Sequence, residues 1–305
     1  MFVYQANLMK FCLLLCVKFK YDMKKLAIIL LAAMLLPFSV DAKKKSDKNG
    51  YDLKVMSYNI RMGVAKDGTN SWEFRYPATA LMIEDQQPDV FGVQEAFDFQ
   101  ILFIKENCRD YDGVGVGRDD GKSKGEHMSV FWNKKTTKML KWGTFWLSET
   151  PEKPSKGWDA ACKRTATWAL MKDKKTGRKY YFVNTHLDHR GAEAQKNGLA
   201  LIVSRIDDIN PKGYPMVLTG DFNIRPDNPA LTDLDKLMQS SRNIAEKTDN
   251  LATFNGWGKA KADQVIDYIY VSGFSKCTEY QTVTKKYADR KYVSDHYPIC
   301  ATLVF

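Results

Sequence analysis

Six times in this chain a run of apolar residues stops at, or starts from, a side chain able to hold a cation or a phosphate. This recurrence constrains the fold more than any single motif, because a buried run does not keep an unpaired carboxylate or amide inside it. Residues 216–223, "MVLTGDFN", show the logic. An apolar run of this length behind Pro215 reads as a buried strand, so Asp221 belongs at its end, where Gly220 allows a tight bend or the close approach of a ligand. Taken alone, the stretch reads equally well as a loop in which Asp221 and Asn223 cap a turn. The other points decide between the two: Asn59 after "VMSY", Glu95 after "VFGVQ", His186 after "YFVNT", Asp267 at the head of "DYIYV", and Asp295 with His296 ahead of "YPICATL".

Alternation and turn residues predict strands over 52–59, 89–94, 111–116, 127–132, 138–146, 164–172, 179–185, 215–219, 266–271, 275–284 and 298–304. Helical spacing of Ala78, Leu81 and Met82 predicts a helix that Pro88 stops. A second helix is expected over 191–209, with Leu199, Ile202, Val203, Ile206 and Ile209 on one face, and a short helical piece near 229–238. Hairpin-like neighbours mix with strand–helix–strand units, which excludes a purely parallel sheet and favours two packed sheets flanked by helices.

From Met23 the text "MKKLAIILLAAMLLPFSVDA" has the form of a secretory signal: two lysines, an apolar stretch short for spanning a bilayer, then Val40 and Ala42 spaced like a cleavage site. Cleavage after Ala42 and export to the periplasm or the medium are expected, with Met23 the more natural start and residues 1–22 an upstream segment. The alternative is an uncleaved anchor. Residues 43–50 read as a Lys-rich linker, and 51–305 as one domain without repeats. Of 46 basic and 36 acidic residues, 41 and 34 lie beyond residue 42, a mild basic excess that suits anionic substrates. Lys134, Lys135, Lys172, Lys174 and Lys175 cluster near turns, where solvated loops explain them as well. Cys108, Cys162, Cys277 and Cys300 lack paired CxxC spacing, which argues against a zinc knuckle.

If the six points meet along one rim, four carboxylates, two amides and two histidines crowd one cleft, a concentration that calls for a cation. Oxygen-rich ligation suits Mg²⁺ or Mn²⁺. "HLDH", with His186 and His189, has zinc-like spacing but no third soft ligand.

The ordered set "SYNIR", "PDVFGVQEA", "GEHMSVFW", "VNTHLDHRG", "LTGDFN", "IDYIYV" and "SDHYPICATL" resembles the endonuclease/exonuclease/phosphatase (DNase I-like) superfamily across nearly all of residues 43–305. Each motif is weak alone; seven in order are specific. The resemblance implies a four-layer α/β sandwich, its active site between the edges of two central mixed sheets, and Mg²⁺-dependent phosphoester hydrolysis. It assigns Glu95, Asn59 and Asp295 to the metal. Asp221 would orient or deprotonate water, Asn223 and His186 would hold phosphate oxygens, and His296, oriented by Asp267, would stabilise charge on phosphorus. Glu126 matches a position that can pair with His186. Arg164 is a candidate phosphate clamp. His127 and His189 have no counterpart and read as structural, and Trp146, Trp158 and Trp168 as packing.

"NSWEFR" and "FWLSETP" look most like secreted bacterial hydrolases of this superfamily. The substrate expected is a phosphodiester, in nucleic acid, a phospholipid or a small molecule. No dense Lys/Arg stripe interleaved with aromatics marks a nucleic-acid groove, and no apolar hairpin stands out for a sphingomyelinase-like membrane contact. The rival reading is a catalytically silent binding protein on the same scaffold. Nothing implies a stable protein partner, and a monomer is expected.

Overall fold

Alternation in the first strand, β1 (Asp52–Asn59), sorts its side chains between two cores: Leu53 and Val55 face one, Met56 and Tyr58 the other. The computed structural model describes residues 52–305, so the expected signal segment, its cleavage site and the linker lie outside the described residues. β1 joins β2 (Val90–Gln94), β3 (Tyr111–Val114), β4 (Val130–Asn133), β11 (Lys276–Thr282) and β12 (Ile299–Val304) in a six-stranded sheet of order β11-β12-β1-β2-β4-β3. The second sheet holds β5 (Thr137–Trp146), β6 (Thr165–Asp173), β7 (Lys179–His186), β8 (Met216–Asp221), β9 (Gln239–Ser240) and β10 (Asp267–Ser272), in the order β5-β6-β7-β8-β10-β9.

Each sheet contains one parallel pair, β1 with β2 and β7 with β8; the other pairs are antiparallel. A parallel pair needs a crossover. Helix α1 (Trp72–Gln86) supplies the first and ends at Gln87, a left-handed cap just before Pro88. Helix α2 (Asp98–Asn107) follows β2, and α3 (Ala192–Ser204) with the one-turn α4 (Ile206–Ile209) makes the second crossover. Met82, Ile83, Ile101 and Ile104 of α1 and α2 pack on the outer face of the first sheet. Leu199 and Ile202 of α3, with Leu234 of α5 (Thr232–Leu237), pack on the second. Val55, Val90 and Val130 meet Phe182, Val217 and Ile269 between the sheets. The result is the expected four-layer sandwich with two mixed sheets.

Several local expectations differ from what is observed. The 191–209 helix breaks at Arg205. The strand expected from 127 begins at Val130, because His127 makes only isolated bridges to Ala96 and Gly117. Helix α2 has no clear helical period in its sequence: the apolar residues of "DFQILFIKEN" are spread around the helix, with Phe99 and Leu102 exposed. A four-residue helix, α6 (Ser241–Ile244), is also present. Among the described residues the four cysteines are free thiols, and no helix is long and apolar enough to cross a membrane.

A polar network pins the sheets together just beneath the strand ends. Asn184 donates to the carbonyls of Val93 (2.8 Å) and Ser129 (3.1 Å), while its oxygen accepts from Gln94 Nε2 at 2.6 Å and Thr219 Oγ1 at 3.1 Å. Gly92 is required here, since a Cβ would stand 2.4 Å from the Asn184 amide. Truncation of Asn184 to Ala strands these buried groups, and we expect a loss of about 2–4 kcal/mol. Urea unfolding midpoints of the two proteins would measure it; an unchanged midpoint would show that the network contributes nothing net.

Candidate active site

Parallel strands deliver their carboxyl ends to one place. β1 and β2 bring Asn59 and Glu95 there, and β7 and β8 bring His186 and Asp221 in register with each other. The antiparallel neighbours start at the same end: Asp267 pairs with Asp221, and Ile299 with Ser57, which sets Asp295 and His296 beside them. At the cleft itself the two sheets are tied by Asn59, whose Nδ2 donates to Asp221 Oδ2 (2.9 Å) and to Glu95 Oε1 (3.1 Å). Arg61, Glu95 and Asn223 have positive φ (59°, 61° and 54°), a conformation costing an ordinary residue about 1 kcal/mol that bends each chain where its strand ends.

Asp221 sits at the centre. Its Oδ1 accepts from the Asn223 backbone N–H (2.9 Å), and its Oδ2 lies 3.5 Å from His186 Nε2 and 3.6 Å from His296 Nε2. Burial raises this carboxyl to about 7, with Asp267 and Glu95 adding to the effect and His296 and Asn59 opposing it. His296 donates from Nδ1 to Asp267 Oδ2 at 2.9 Å, and the edge of Phe254 packs on its ring. Burial alone would lower His296; the Asp267 and Asp221 carboxylates overcome it and push the imidazole up to about 10. The ring is therefore an imidazolium whose orientation Asp267 fixes.

Glu95 and Asp295 form a second acidic face. Arg61, forked on Asp67 by bonds of 2.9 and 3.1 Å, points Nη1 at Asp295 Oδ2 (3.6 Å) and Glu95 Oε2 (4.0 Å). Burial raises Asp295. Oxygens of Glu95 and Asp221 and a nitrogen of His186 also lie within 4.8 Å of one another. This carboxylate-rich donor set fits a hard divalent cation. Asn59, expected among the ligands, presents its amide nitrogen to Glu95 and Asp221 while its oxygen accepts from Arg61 N–H at 3.0 Å. Asn59 thereby links the two carboxylates.

On the other flank, Asn223 Nδ2 donates to His186 Nε2 (2.9 Å) and to the Leu187 carbonyl (3.1 Å). That places the His186 proton on Nδ1, 4.0 Å from Glu126 Oε2. Burial, with Arg164 and Arg118, holds His186 well below its usual range, so it is neutral. Arg164 donates to Asp188 (3.2 Å) and to His189 Nδ1 (2.9 Å). Asp188 is filled by backbone N–H groups of Ala161, Arg190 and Gly191 besides that guanidinium, so Cys162, Asp188 and His189 are not a zinc site despite their proximity. All ten residues singled out from sequence therefore fall in or against one cleft: eight line a cavity of about 630 Å³, while Asn59 and Asp267 support it from behind.

Arg61, Arg118, Arg225 and Phe254 also line this cavity and were not singled out from sequence. Arg61 follows Asn59 by two residues and was findable on that ground. Arg118 stands in "GVGRDDG", which reads only as a turn. Arg75 is a third kind of arginine: fully buried, stacked on Trp72, it donates to the carbonyls of Ile60, Arg61, Asn70 and Val293, bracing the loops that carry Arg61 and Asp295.

Residues 56–296 match the model of the Endonuclease/Exonuclease/phosphatase family. The chain belongs to that family. A solved endonuclease/exonuclease/phosphatase family protein from Bacteroides thetaiotaomicron is 35% identical with a TM-score of 0.80, covering 84% of this chain and 98% of that one. A mannosyl-6-phosphatase of the same organism is also 35% identical, with a TM-score of 0.79 over 83% of this chain and all of that one. An uncharacterized protein of Acanthamoeba polyphaga mimivirus is 25% identical over 271 residues, 81% of this chain and 98% of its own length. The family consists of hydrolases of phosphoesters that use a divalent metal, and this member has the DNase I-like sandwich.

Proposed function

We propose that this family member is an exported, Mg²⁺- or Mn²⁺-dependent phosphoesterase acting on a small phosphorylated molecule, with a sugar phosphate as the substrate class. One observation carries the reading: the buried Asp221 carboxylate lies between a neutral His186 and an imidazolium His296 that Asp267 holds in place. Glu95 and Asp295 would hold the ion. When bound, it would supply positive charge to the phosphate and acidify the attacking water.

The protein's own groups account for the rest. Asp221, with Oδ2 fixed by Asn59, takes the proton of a water that attacks phosphorus; the P–O bond to the sugar breaks, and the departing alkoxide takes a proton from solvent. His296 Nε2–H faces the same space and donates to a phosphoryl oxygen as its charge grows, while Asp267 holds the ring in orientation and keeps it charged. Asn223 and His186 flank the other side of the phosphate.

A cavity of about 630 Å³ is of a size that takes a small ligand. The activity in the name of the 35% identical mannosyl-6-phosphatase supports a sugar phosphomonoester over the phosphodiester expected from sequence. The test is a panel of hexose phosphates, an aryl diester, DNA, RNA and sphingomyelin, each with Mg²⁺ or EDTA. We expect turnover of a sugar phosphate that falls at least about a hundredfold in EDTA and returns with Mg²⁺. Turnover unaffected by EDTA would overturn the metal-dependent reading, and a preference for DNA or sphingomyelin the substrate class.

A further inference from the structure

A buried arginine with a purely structural task uses up its N–H groups, as Arg75 does on four backbone carbonyls. Two arginines of the cavity do not. Arg118 gives Nη2 to Glu126 Oε1 at 2.6 Å, and Arg164 gives Nε to Asp188 and Nη2 to His189. In each, Nη1 is buried and has no hydrogen-bond partner, and Glu126 Oε2 and His186 Nδ1 beside them are unpaired as well. Leaving a guanidinium N–H dry and unpaired is costly, and such groups mark the place of an absent acceptor. Both residues line the cavity that contains Asp221 and His296. They stand on its His186 side, since Glu126, which holds Arg118, lies 4.0 Å from His186 Nδ1, and His186 Nε2 is 3.5 Å from Asp221.

The pair is braced before any ligand arrives. The Arg118 carbonyl accepts from the Trp146 indole at 2.7 Å, its N–H donates to the Glu126 carbonyl at 3.0 Å, and Lys163 Nζ holds the carbonyl of Asp119 at 2.7 Å. Side-chain exposure is 13% for Arg118 and 5% for Arg164, so little entropy remains to be lost on binding.

Resting on the phosphoesterase reading, we infer that Arg118 and Arg164 form a two-guanidinium cradle for the extra negative charge of a phosphate monoester, and so select monoesters over diesters. A monoester carries nearly two charges at neutral pH and a diester one. Forked N–H donors match phosphoryl oxygens, and the esterified oxygen of a diester offers them neither charge nor room. Glu126 acts as a positioning residue that aims Arg118.

The experiment compares para-nitrophenyl phosphate with methyl para-nitrophenyl phosphate, which share a leaving group, on the metal-loaded protein and on Arg118→Met, Arg118→Lys and Arg164→Met. Binding of inorganic phosphate is measured by calorimetry on the same proteins. For Arg118→Met we expect kcat/KM on the monoester to fall about 30-fold, phosphate affinity to fall in parallel, and the diester rate to change by less than about threefold; Arg118→Lys should recover part of the loss. Equal losses on both esters, or unchanged phosphate affinity, would overturn the cradle. If the wild type hydrolyses neither ester, the catalytic reading fails separately, and phosphate binding still decides the cradle. Arg118 lies on a loop, so its variants report even if Arg164→Met, which frees the buried Asp188, does not fold.

Discussion

Asp221→Asn is expected to lower kcat roughly a thousandfold or more, because it removes the carboxylate that touches Asn59, Asn223, His186 and His296 together. The same change should stabilise the fold in alkaline solution. Burial raises the Asp221 carboxyl from 3.8 to about 7, so the folded state favours its uncharged form. That contribution to stability is complete below about pH 4 and is lost as pH rises through about 7. An amide keeps the uncharged state at every pH. The unfolding midpoint of the variant, measured without divalent ions, should therefore exceed that of the wild type at pH 8 and match it at pH 4. A variant that is less stable at pH 8 would mean that attraction to His296 outweighs the burial cost, and full activity in the variant would remove Asp221 from catalysis.

His296→Ala should be the mirror case. We expect kcat to fall by about 10²–10⁴, from loss of the donor that meets the developing charge. Stability should fall too, by about 3 kcal/mol, since Asp221 and Asp267 are left buried without their cation. The His296 ring is raised from 6.5 to about 10 in the fold, so its contribution is complete below about pH 6.5 and disappears as pH passes about 10. Unfolding at pH 6 should separate the two proteins, and unfolding above pH 10 should bring them together. A pH-independent gap would make the histidine a packing residue. A stable variant with unchanged kcat would remove the Asp267–His296 pair from the mechanism.

The two substitutions act on one charge cluster, so their effects should not add. Removing Asp221 lowers the demand on His296, and removing His296 leaves Asp221 harder to ionise. Their coupling is visible in the geometry, where His296 Nε2 stands 3.6 Å from Asp221 Oδ2.

Much of this site could be read from the chain by itself, for a specific reason. A strand's end is a local property: the apolar run in "MVLTG" and the polar break at Asp221 lie within six residues of each other, and the same holds for Asn59, Glu95 and His186. The partners could not be read in this way. Asn59 contacts Asp221 across 162 positions, and it is the amide nitrogen that makes the contact. Arg118 sits in a glycine-rich turn with no periodic signal, and only its placement against Glu126 distinguishes it from the solvated basic residues around it.

What the sequence by itself determined is the set of elements and their chemical endings: alternating strands, two crossover helices, and an oxygen-rich, histidine-containing group of side chains at the strand ends. Short-range pattern is sufficient for that, because period and termination are encoded within one element. Only the tertiary structure decided which endings meet, which carboxylate is surrounded by imidazoles, and which arginines keep an N–H for a ligand. Those are consequences of sheet order and register, in which residues far apart in the chain are brought within a few ångströms, and burial then sets the charge each of them carries.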